Sequence, residues 1–237
     1  MREERAPERT LFLPAEFPPQ RPQQNVLIVT DFDLDVQTYA REFSNLTCVK
    51  PRLCPNCSAV EKLVGHGSYQ RQVCDHTQAL LILVKRLLCK ICRHTVSLLP
   101  AFCLPYRHYH TSVIQKVLSL RIQGTSSWSE VRRNFLPYDL PALSTCREWT
   151  ATFSRASGSY LSHLLKQLAE WQLAPGKLEL AIADISLSAS APGQLLSAVP
   201  HLLAWLRHSG FALLRGTKSW LETLWQWGHG VKLGRLV

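Results

Sequence analysis

The chain has 237 residues, long enough to bury a substantial core in one or two domains. It contains no run of about 18 uncharged apolar residues, so the sequence predicts no membrane-spanning helix. The formal net charge is +10, and residues 50–155 carry fifteen Lys and Arg against five Asp and Glu. A clustered excess of positive charge is typical of proteins that bind a polyanion, most simply nucleic acid. The alternative is a solvated basic face that serves only solubility.

The N-terminal part divides into a proline-rich tail, residues 1–25, and a short structured segment, residues 26–47. Five prolines with Gln and Arg predict that the tail is disordered, and its first ten residues lack the apolar core of a signal peptide. In the second segment, residues 25–30 read as a short strand and residues 36–43 as a helix. The three aspartates between them lack the glycine and glutamate of a calcium loop, which favours a helix cap or a solvated turn.

Two cysteine pairs dominate the next part of the chain, Cys54-Pro-Asn-Cys57 and Cys89-Lys-Ile-Cys92. A two-residue gap lets both thiolates of a tight turn point at one ion, and two such turns complete a tetrahedral Cys₄ zinc site. Between the pairs, residues 63–73 and 79–88 have strand composition and are joined by a polar turn. A hairpin would bring the second pair back beside the first. The sequence therefore predicts a zinc ribbon over residues 48–106 that holds one structural Zn²⁺.

Other interpretations of the cysteines have less support. A disulfide framework needs an oxidising compartment, and a redox Cys-x-x-Cys needs a helix behind it, whereas Cys92 precedes a third strand-like run. A second or enlarged metal site would draw on Cys74, His76, Cys103 and His108, whose spacing follows no ligand pattern. Four cysteine ligands leave no position for a water, so the predicted zinc is structural and not catalytic.

Residues 107–158 carry three helical signals separated by short polar turns. Thr111 or Ser112 caps the first helix, Ser126 or Ser127 the second, and Ser144 or Thr145 a third that ends near Ser157. This layout after a ribbon predicts a helix-turn-helix unit whose last helix enters the major groove. The alternative is a plain helical bundle. The candidate DNA-contacting residues are Arg107, Arg132, Arg133, Ser144, Thr145, Arg147, Thr150 and Arg155.

Residues 159–237 read as a mainly helical C-terminal region, with helices over 160–171, 194–209 and 219–227. Six of the seven tryptophans follow residue 148, which is enough aromatic mass for a core or for a partner surface. Residues 178–186 could form a strand that carries Asp184. The predicted fold class is therefore α+β: a small Cys₄ zinc-ribbon β-domain, then a helix-turn-helix, then this helical region.

The chain resembles the zinc-ribbon heads of bacterial insertion-sequence transposases. The resemblance rests on the two cysteine pairs, the segments at 65–71 and 87–92, and the exit Ser97-Leu-Leu-Pro-Ala-Phe-Cys-Leu-Pro-Tyr106. A small uncharacterised bacterial family with the same ribbon and the same SLLP-x-F-x-x-PY exit is more similar still. Ser144-Thr-Cys-Arg-Glu-Trp149 is similar to the start of a recognition helix in transposase-type helix-turn-helix units. What the resemblance implies is DNA binding, over roughly residues 48–157.

Strand transfer is not expected. A transposase of that type needs three carboxylates on a ribonuclease H-like fold to hold two metal ions, and only Glu222 follows Asp184. The sequence thus predicts a non-enzymatic, zinc-dependent protein that binds duplex DNA, is linked to mobile elements and lies in the cytoplasm at the nucleoid.

Two alternatives stay open. One is an adaptor that docks on a transposase or another protein through its tryptophan-rich C-terminal region. The other is a single-stranded RNA or DNA binder in which Tyr69, Tyr106 and Tyr109 stack on bases.

Overall fold

The structure, a computed structural model, describes residues 26–30, 34–43, 50–124, 126–136, 141–172, 190–209, 219–231, 233 and 236–237. The tail at 1–25 and the strand predicted around Asp184 lie outside these residues. Within them the chain is a mixed sheet followed by helices, which confirms the α+β class. No helix in this described part is both long and apolar enough to cross a membrane.

A four-stranded sheet forms the first half of the described structure. The strands are β1 (Val26–Thr30), β2 (Leu63–Cys74), β3 (Ala79–Cys89) and β4 (Thr95–Pro100), in the spatial order β1-β4-β3-β2. The last three are antiparallel neighbours, whereas β1 runs parallel to β4 at the edge. The two predicted hairpin strands and the third strand-like run after Cys92 are thereby confirmed.

The β2–β3 hairpin determines where the metal end of the sheet lies. Asp75 closes its turn, because its Oδ1 accepts hydrogen bonds from the backbone N–H groups of Thr77 and Gln78 at 2.7 and 2.8 Å. From there the two strands run back until Leu63 pairs with Cys89, past an irregularity between Gly65 and Ser68. The hairpin therefore returns Cys89 to the neighbourhood of Cys54, as its sequence predicts.

A short helix, α1 (Val36–Glu42), packs on this sheet. Asp35 is its N-cap and accepts from the N–H groups of Gln37 and Thr38 at 2.9 and 3.0 Å. These hydrogen bonds, above all that from Thr38, lower the pKa of the Asp35 carboxyl. The expectation that an aspartate of this segment caps a helix is thereby confirmed. Tyr39 of α1 is fully buried and donates its hydroxyl to the carbonyl of Leu83 at 2.8 Å.

Two short helices follow the sheet. The first, α2 (Thr111–Leu118), continues as one π-helical turn to Gln123, and the second, α3 (Trp128–Arg133), begins after a capping box between Ser127 and Glu130. The predicted cap of α2 is wrong by one residue, because His110 Nδ1 accepts from the N–H of Ser112 at 3.0 Å. The Thr111 hydroxyl is engaged elsewhere: it donates to Glu222 Oε1 at 2.5 Å, in the protein interior.

The next helix, α4 (Leu143–Gln172), is a single helix of 30 residues. The predicted helix end near Ser157 and the predicted new helix from Tyr160 are wrong, because α4 runs through both positions. Ser157 is buried and donates its hydroxyl to the carbonyl of Phe153 at 2.6 Å, so its polar group is satisfied inside the helix. Gly158 lies within the same helix and is not a turn residue. The predicted caps Ser144 and Thr145 fall in the first turn, because the helix begins at Leu143.

Two more helices complete the described structure, α5 (Ala191–Ser209) and α6 (Trp220–Gly230). Both pack with α2 and α4 around the largest hydrophobic cluster of the described residues, in which Trp149, Phe153 and Trp227 are buried. Two smaller clusters belong to the sheet: one under α1 with Ile82, and one at the metal end with Leu87. The sheet and the helices thus have separate cores.

Two glycines in these helices provide a matched test of the packing. A Cβ on Gly158 would meet no atom within 4 Å, whereas a Cβ on Gly228 would lie 2.4 Å from the ring of the buried Tyr160. We expect Gly158→Ala to raise the free energy of unfolding by about 0.5–1 kcal/mol, since alanine is the better helix former. We expect Gly228→Ala to lower it by about 1–3 kcal/mol, through overpacking.

Denaturant unfolding of the two variants measures both values. A Gly158→Ala variant less stable than the wild type would mean that α4 is interrupted at this position, and a neutral Gly228→Ala would mean that α6 does not pack on Tyr160.

Candidate metal centre

The two cysteine pairs form turns with the same hydrogen bonds. In the first, Cys54 accepts at its carbonyl from the N–H of Ser58 (2.8 Å) and donates its N–H to the carbonyl of Ala59 (3.0 Å). In the second, Cys89 accepts from the N–H of Arg93 (3.0 Å) and donates to the carbonyl of His94 (3.0 Å). Each turn therefore presents its two sulfur atoms in the same way.

The residue after each pair has a left-handed backbone. Ser58 has φ 57° and Arg93 has φ 59°. Non-glycine residues seldom adopt this region, because Cβ crowds the following carbonyl oxygen. The repeated conformation reverses the chain immediately after the second cysteine of each pair. The Cys-x-x-Cys spacing predicts the turns, but the residue types Ser58 and Arg93 do not predict a positive φ.

The four sulfur atoms lie together, each within 4.8 Å of the others. Two of the Sγ–Sγ distances, Cys54–Cys92 and Cys57–Cys89, are 3.7 Å. A tetrahedron with metal–sulfur bonds of about 2.3 Å has sulfur–sulfur edges of about 3.8 Å. Each of these short distances joins a cysteine of one turn to a cysteine of the other, so neither turn completes the site alone. This donor set fits one tetrahedral metal ion, and the predicted residues Cys54, Cys57, Cys89 and Cys92 are brought together as a possible metal site.

One side of the centre is packed and the other is open. Cys54 and Cys89 are buried at 1% and 0% exposure and belong to the small cluster with Leu87, whereas Cys57 is exposed. The first cysteine of each pair is therefore fixed by packing in the protein. The apolar cluster restricts water on that side of the centre only.

The thiols influence one another strongly. Burial raises the pKa of Cys92, but hydrogen bonds from the Asn56 side chain, from the His94 N–H and from neighbouring thiols outweigh it and lower the pKa to about 6. At Cys57 the Ala59 N–H lowers the pKa, while desolvation and the three neighbouring cysteines together raise it to about 12. The first thiolate thus forms easily and a further one is opposed, as expected for negative charges accumulating in one place. A divalent cation relieves this repulsion.

The other cysteines among the described residues do not extend the site. Cys103 and Cys146 are buried, and desolvation raises their pKa values to about 12 and about 11. Cys74 is also buried, and burial raises its pKa. Within the part of the chain that the structure describes, the four-cysteine cluster is the one group of potential metal ligands. The supplementary set with Cys74, His76, Cys103 and His108 is therefore not assembled.

The candidate DNA-contacting residues fall into two groups. Arg107 has a side chain only 10% exposed, and its Nη1 donates to Glu148 Oε1 at 2.9 Å. This ion pair, buried at Arg107 and open to solvent at Glu148, links the segment after β4 to α4. The Thr150 hydroxyl donates to the Cys146 carbonyl at 2.9 Å, along its own helix. The exposed members are Arg132, Arg133, Ser144, Arg147 and Arg155, with Thr145 half-buried.

Trp128, at the start of α3, organises this surface and is not among the residues that the sequence predicts to contact DNA. The guanidinium of Arg121 lies 4.4 Å from the centroid of its ring, and that of Arg147 lies 5.7 Å from the same centroid. Such cation–π contacts restrict an otherwise flexible arginine. The sequence signal that could have indicated this role is that Trp128 is the one tryptophan before residue 149.

Comparison with known proteins gives one match. A family described as "Domain of unknown function (DUF6431)" matches residues 54–134, which contain both cysteine pairs, the β2–β4 sheet, α2 and α3. No curated protein matches the chain, and no solved structure matches it.

The metal centre predicts opposite behaviour for two buried cysteines. We expect Cys89→Ser to lose the metal and to unfold residues 54–92, because three thiolates bind a divalent ion far more weakly and the cluster around Leu87 depends on that closure. Cys74→Ser replaces a buried cysteine outside the cluster and should keep one metal per chain. Metal content by mass spectrometry and hydrogen exchange of the sheet amides measure both. Full protection in Cys89→Ser without metal would contradict a folding role for the centre.

Metal binding should depend on pH in a stated direction. Because desolvation and the neighbouring cysteines raise the pKa of Cys57, and thiolates are the ligands, metal binding at neutral pH displaces protons. Stability from the metal is therefore present at neutral and higher pH and is lost as the pH falls and protons compete for the sulfurs. Calorimetric titration in two buffers of different ionisation enthalpy counts the released protons. Equal metal affinity at pH 7.5 and 5.5 would contradict thiolate ligation.

Proposed function

We propose that this chain is a non-enzymatic, zinc-dependent DNA-binding protein and that the ion of its metal centre is a structural Zn²⁺. The observation that carries the metal assignment is the four-sulfur donor set, in which two sulfur–sulfur distances are 3.7 Å and all lie within 4.8 Å. Soft thiolates in a tetrahedron suit Zn²⁺, which has no geometric preference of its own. Four protein ligands leave no open position for a reacting water. The proposed role of the ion is therefore to close the ribbon and not to catalyse.

The exposed face of α4 supports DNA as the partner. Along the first half of the helix, the side chains that face solvent include Ser144, Arg147, Ala151 and Arg155, at spacings of three and four residues. The opposite face carries Trp149 and is buried in the helical core. Small side chains between arginines let a helix approach a groove closely while the guanidinium groups reach phosphates or base edges.

The charge and the scaffold agree with this proposal. Residues 50–155 carry a balance of +10, which includes the exposed Arg132 and Arg133 at the C-terminal end of α3. The contacts of Arg121 and Arg147 with Trp128 hold two basic groups near the junction of the helices. A helix-turn-helix formed by α2, α3 and α4 would present these groups together, with α4 as the recognition helix.

A link to mobile elements is part of the proposal and rests on the resemblance to transposase heads. In this view the chain acts at the nucleoid as an accessory or regulatory DNA binder. The alternative of an adaptor that docks through its tryptophans has less support, because Trp149, Trp225 and Trp227 are buried in the helical core.

Selection from random duplex DNA by the zinc-loaded full chain tests the proposal. We expect an enriched motif and an affinity that falls steeply with salt, since phosphate contacts release counterions. Arg147→Ala should abolish the motif and weaken binding by about tenfold or more, as loss of a base contact does.

Lys166→Ala is the matched control. It removes one positive charge from the same helix, about 28 Å further along, at a side chain that is 73% exposed. It should leave the motif unchanged. If no motif emerges, or if both variants lose affinity equally, binding is only a general attraction to the basic chain and the recognition role of α4 is wrong.

A further inference from the structure

An arginine-lined cleft lies between the sheet and the segment that leads to α2. Its volume is about 540 Å³, which is within the range of small-molecule sites. None of its lining residues is acidic. They are Tyr69, Gln70, Arg71, Gln72, Arg86, Ser97, Tyr106, Arg107 and His108.

The sheet register explains why these side chains meet. Arg86 pairs with Ser97 across β3 and β4, and Arg71 pairs with Ile82 across β2 and β3. Residues paired in this way share a face of the sheet, and alternation places Tyr69 on the same face as Arg71. The second wall is the segment Leu104–His108, which crosses that face.

The positive charge of the cleft is only partly compensated. Arg107 is paired with Glu148, but no carboxylate of the described residues lies within ion-pair distance of Arg71 or Arg86. Arg71 Nη2 donates hydrogen bonds to the carbonyls of Leu104 and Arg107. The Nε atoms of Arg71 and Arg107 are buried without a hydrogen-bond partner. Unpaired guanidinium groups in a partly desolvated site are costly unless an anion joins them.

Tyr106 supplies an independent observation. It occupies the third position of the turn Leu104-Pro105-Tyr106-Arg107, closed by a 3.3 Å hydrogen bond from the Arg107 N–H to the Leu104 carbonyl. A turn with proline second and a positive φ third usually carries glycine or asparagine at that place. Tyr106 adopts φ 61° there and is nevertheless 72% exposed. An aromatic side chain held in strained backbone, with little of its surface buried, is explained neither by packing nor by turn chemistry.

We propose that this cleft binds one unit of a single-stranded nucleic acid, with a backbone phosphate at Arg86 and the base stacked on Tyr106. Guanidinium groups match a phosphate, and an exposed ring beside them matches any base face. A duplex cannot supply such a base, because its bases are already stacked. Arg71 is a positioning residue, since it clamps the turn that carries Tyr106.

The structure also divides the three tyrosines named from the sequence. Tyr69 and Tyr106 line the cleft. Tyr109 instead packs against Trp149, with ring centroids 5.0 Å apart and 75° between the planes, and burial raises its pKa. Tyr109 is therefore partly buried against the helical core and takes no part in the proposed site.

The test uses the zinc-loaded full chain and a fluorescently labelled oligothymidine, with binding followed by anisotropy over a range of salt. Tyr106→Gly is the decisive variant, because glycine suits φ 61° and the fold should melt at or above the wild-type temperature. We expect about tenfold weaker binding of the single strand and unchanged binding of a duplex. Tyr106→Asn, which also tolerates this backbone, should behave in the same way and replaces it if the glycine variant does not fold.

Arg86→Gln tests the phosphate contact against Lys90→Gln, an exposed lysine that does not line the cleft. Arg86→Gln should reduce the slope of log K against log salt by about 0.7, the value for one phosphate contact on a single strand. Lys90→Gln should leave it nearly unchanged. Equal losses in both variants, or undiminished binding by Tyr106→Gly, would overturn the proposal.

Two competitors separate the possible sources of the phosphate. Unlabelled oligothymidine should displace the probe at far lower concentration than inorganic phosphate or thymidine monophosphate. Equal competition by inorganic phosphate would mean a simple anion site and would overturn the assignment to nucleic acid. If the wild-type chain binds the single strand but not a duplex, that result counts against α4 as a recognition helix and supports the cleft assignment.

Discussion

Convergence of the two cysteine turns on one four-sulfur cluster is the constraint on which the metal end of the sheet depends. The hairpin between them carries a largely exposed β2, and the cluster at its metal end contains only a handful of apolar side chains around Leu87. Apolar burial on that scale stabilises a small β-structure only marginally. One ion bound by the four sulfur atoms would join chain segments 32 to 38 residues apart and would supply the closure that the core does not.

The segment between β4 and α2 connects the sheet to the helices through several hydrogen bonds. Arg71 of β2 holds two carbonyls of this segment, and the backbone of Cys74 pairs with it through the carbonyl of His108 and the N–H of His110. At its far end, Thr111 reaches Glu222 of α6 in the interior. The Arg107–Glu148 pair adds a link to α4. A basic surface on α4 and a basic cleft on the sheet are thus carried by one continuous set of contacts.

Local chemistry predicted most of the elements correctly. Strand-like composition indicated β2, β3 and β4, Ser126 or Ser127 indicated the start of α3, and the aspartates before residue 36 suggested a cap for α1. The errors occurred where local signals conflict with packing. Ser157 and Gly158 read as a helix end because serine and glycine favour turns, but the buried faces around Phe153 and Tyr160 hold α4 together through them. The helix-turn-helix interpretation of α2, α3 and α4 stays a prediction.

The sequence by itself determined the composition of the metal centre, because two Cys-x-x-Cys turns separated by a hairpin leave one simple way to satisfy four thiolates. It also determined the basic character of the middle of the chain. Only the tertiary structure decided which charges are free to bind an anion. Arg107 forms an ion pair with Glu148, whereas Arg86 lies with Arg71 and Tyr106 in the lining of a cleft. Ion pairing, cation–π contacts and strained turns depend on residues far apart in the chain. Their sequence spacing carries no signal of them.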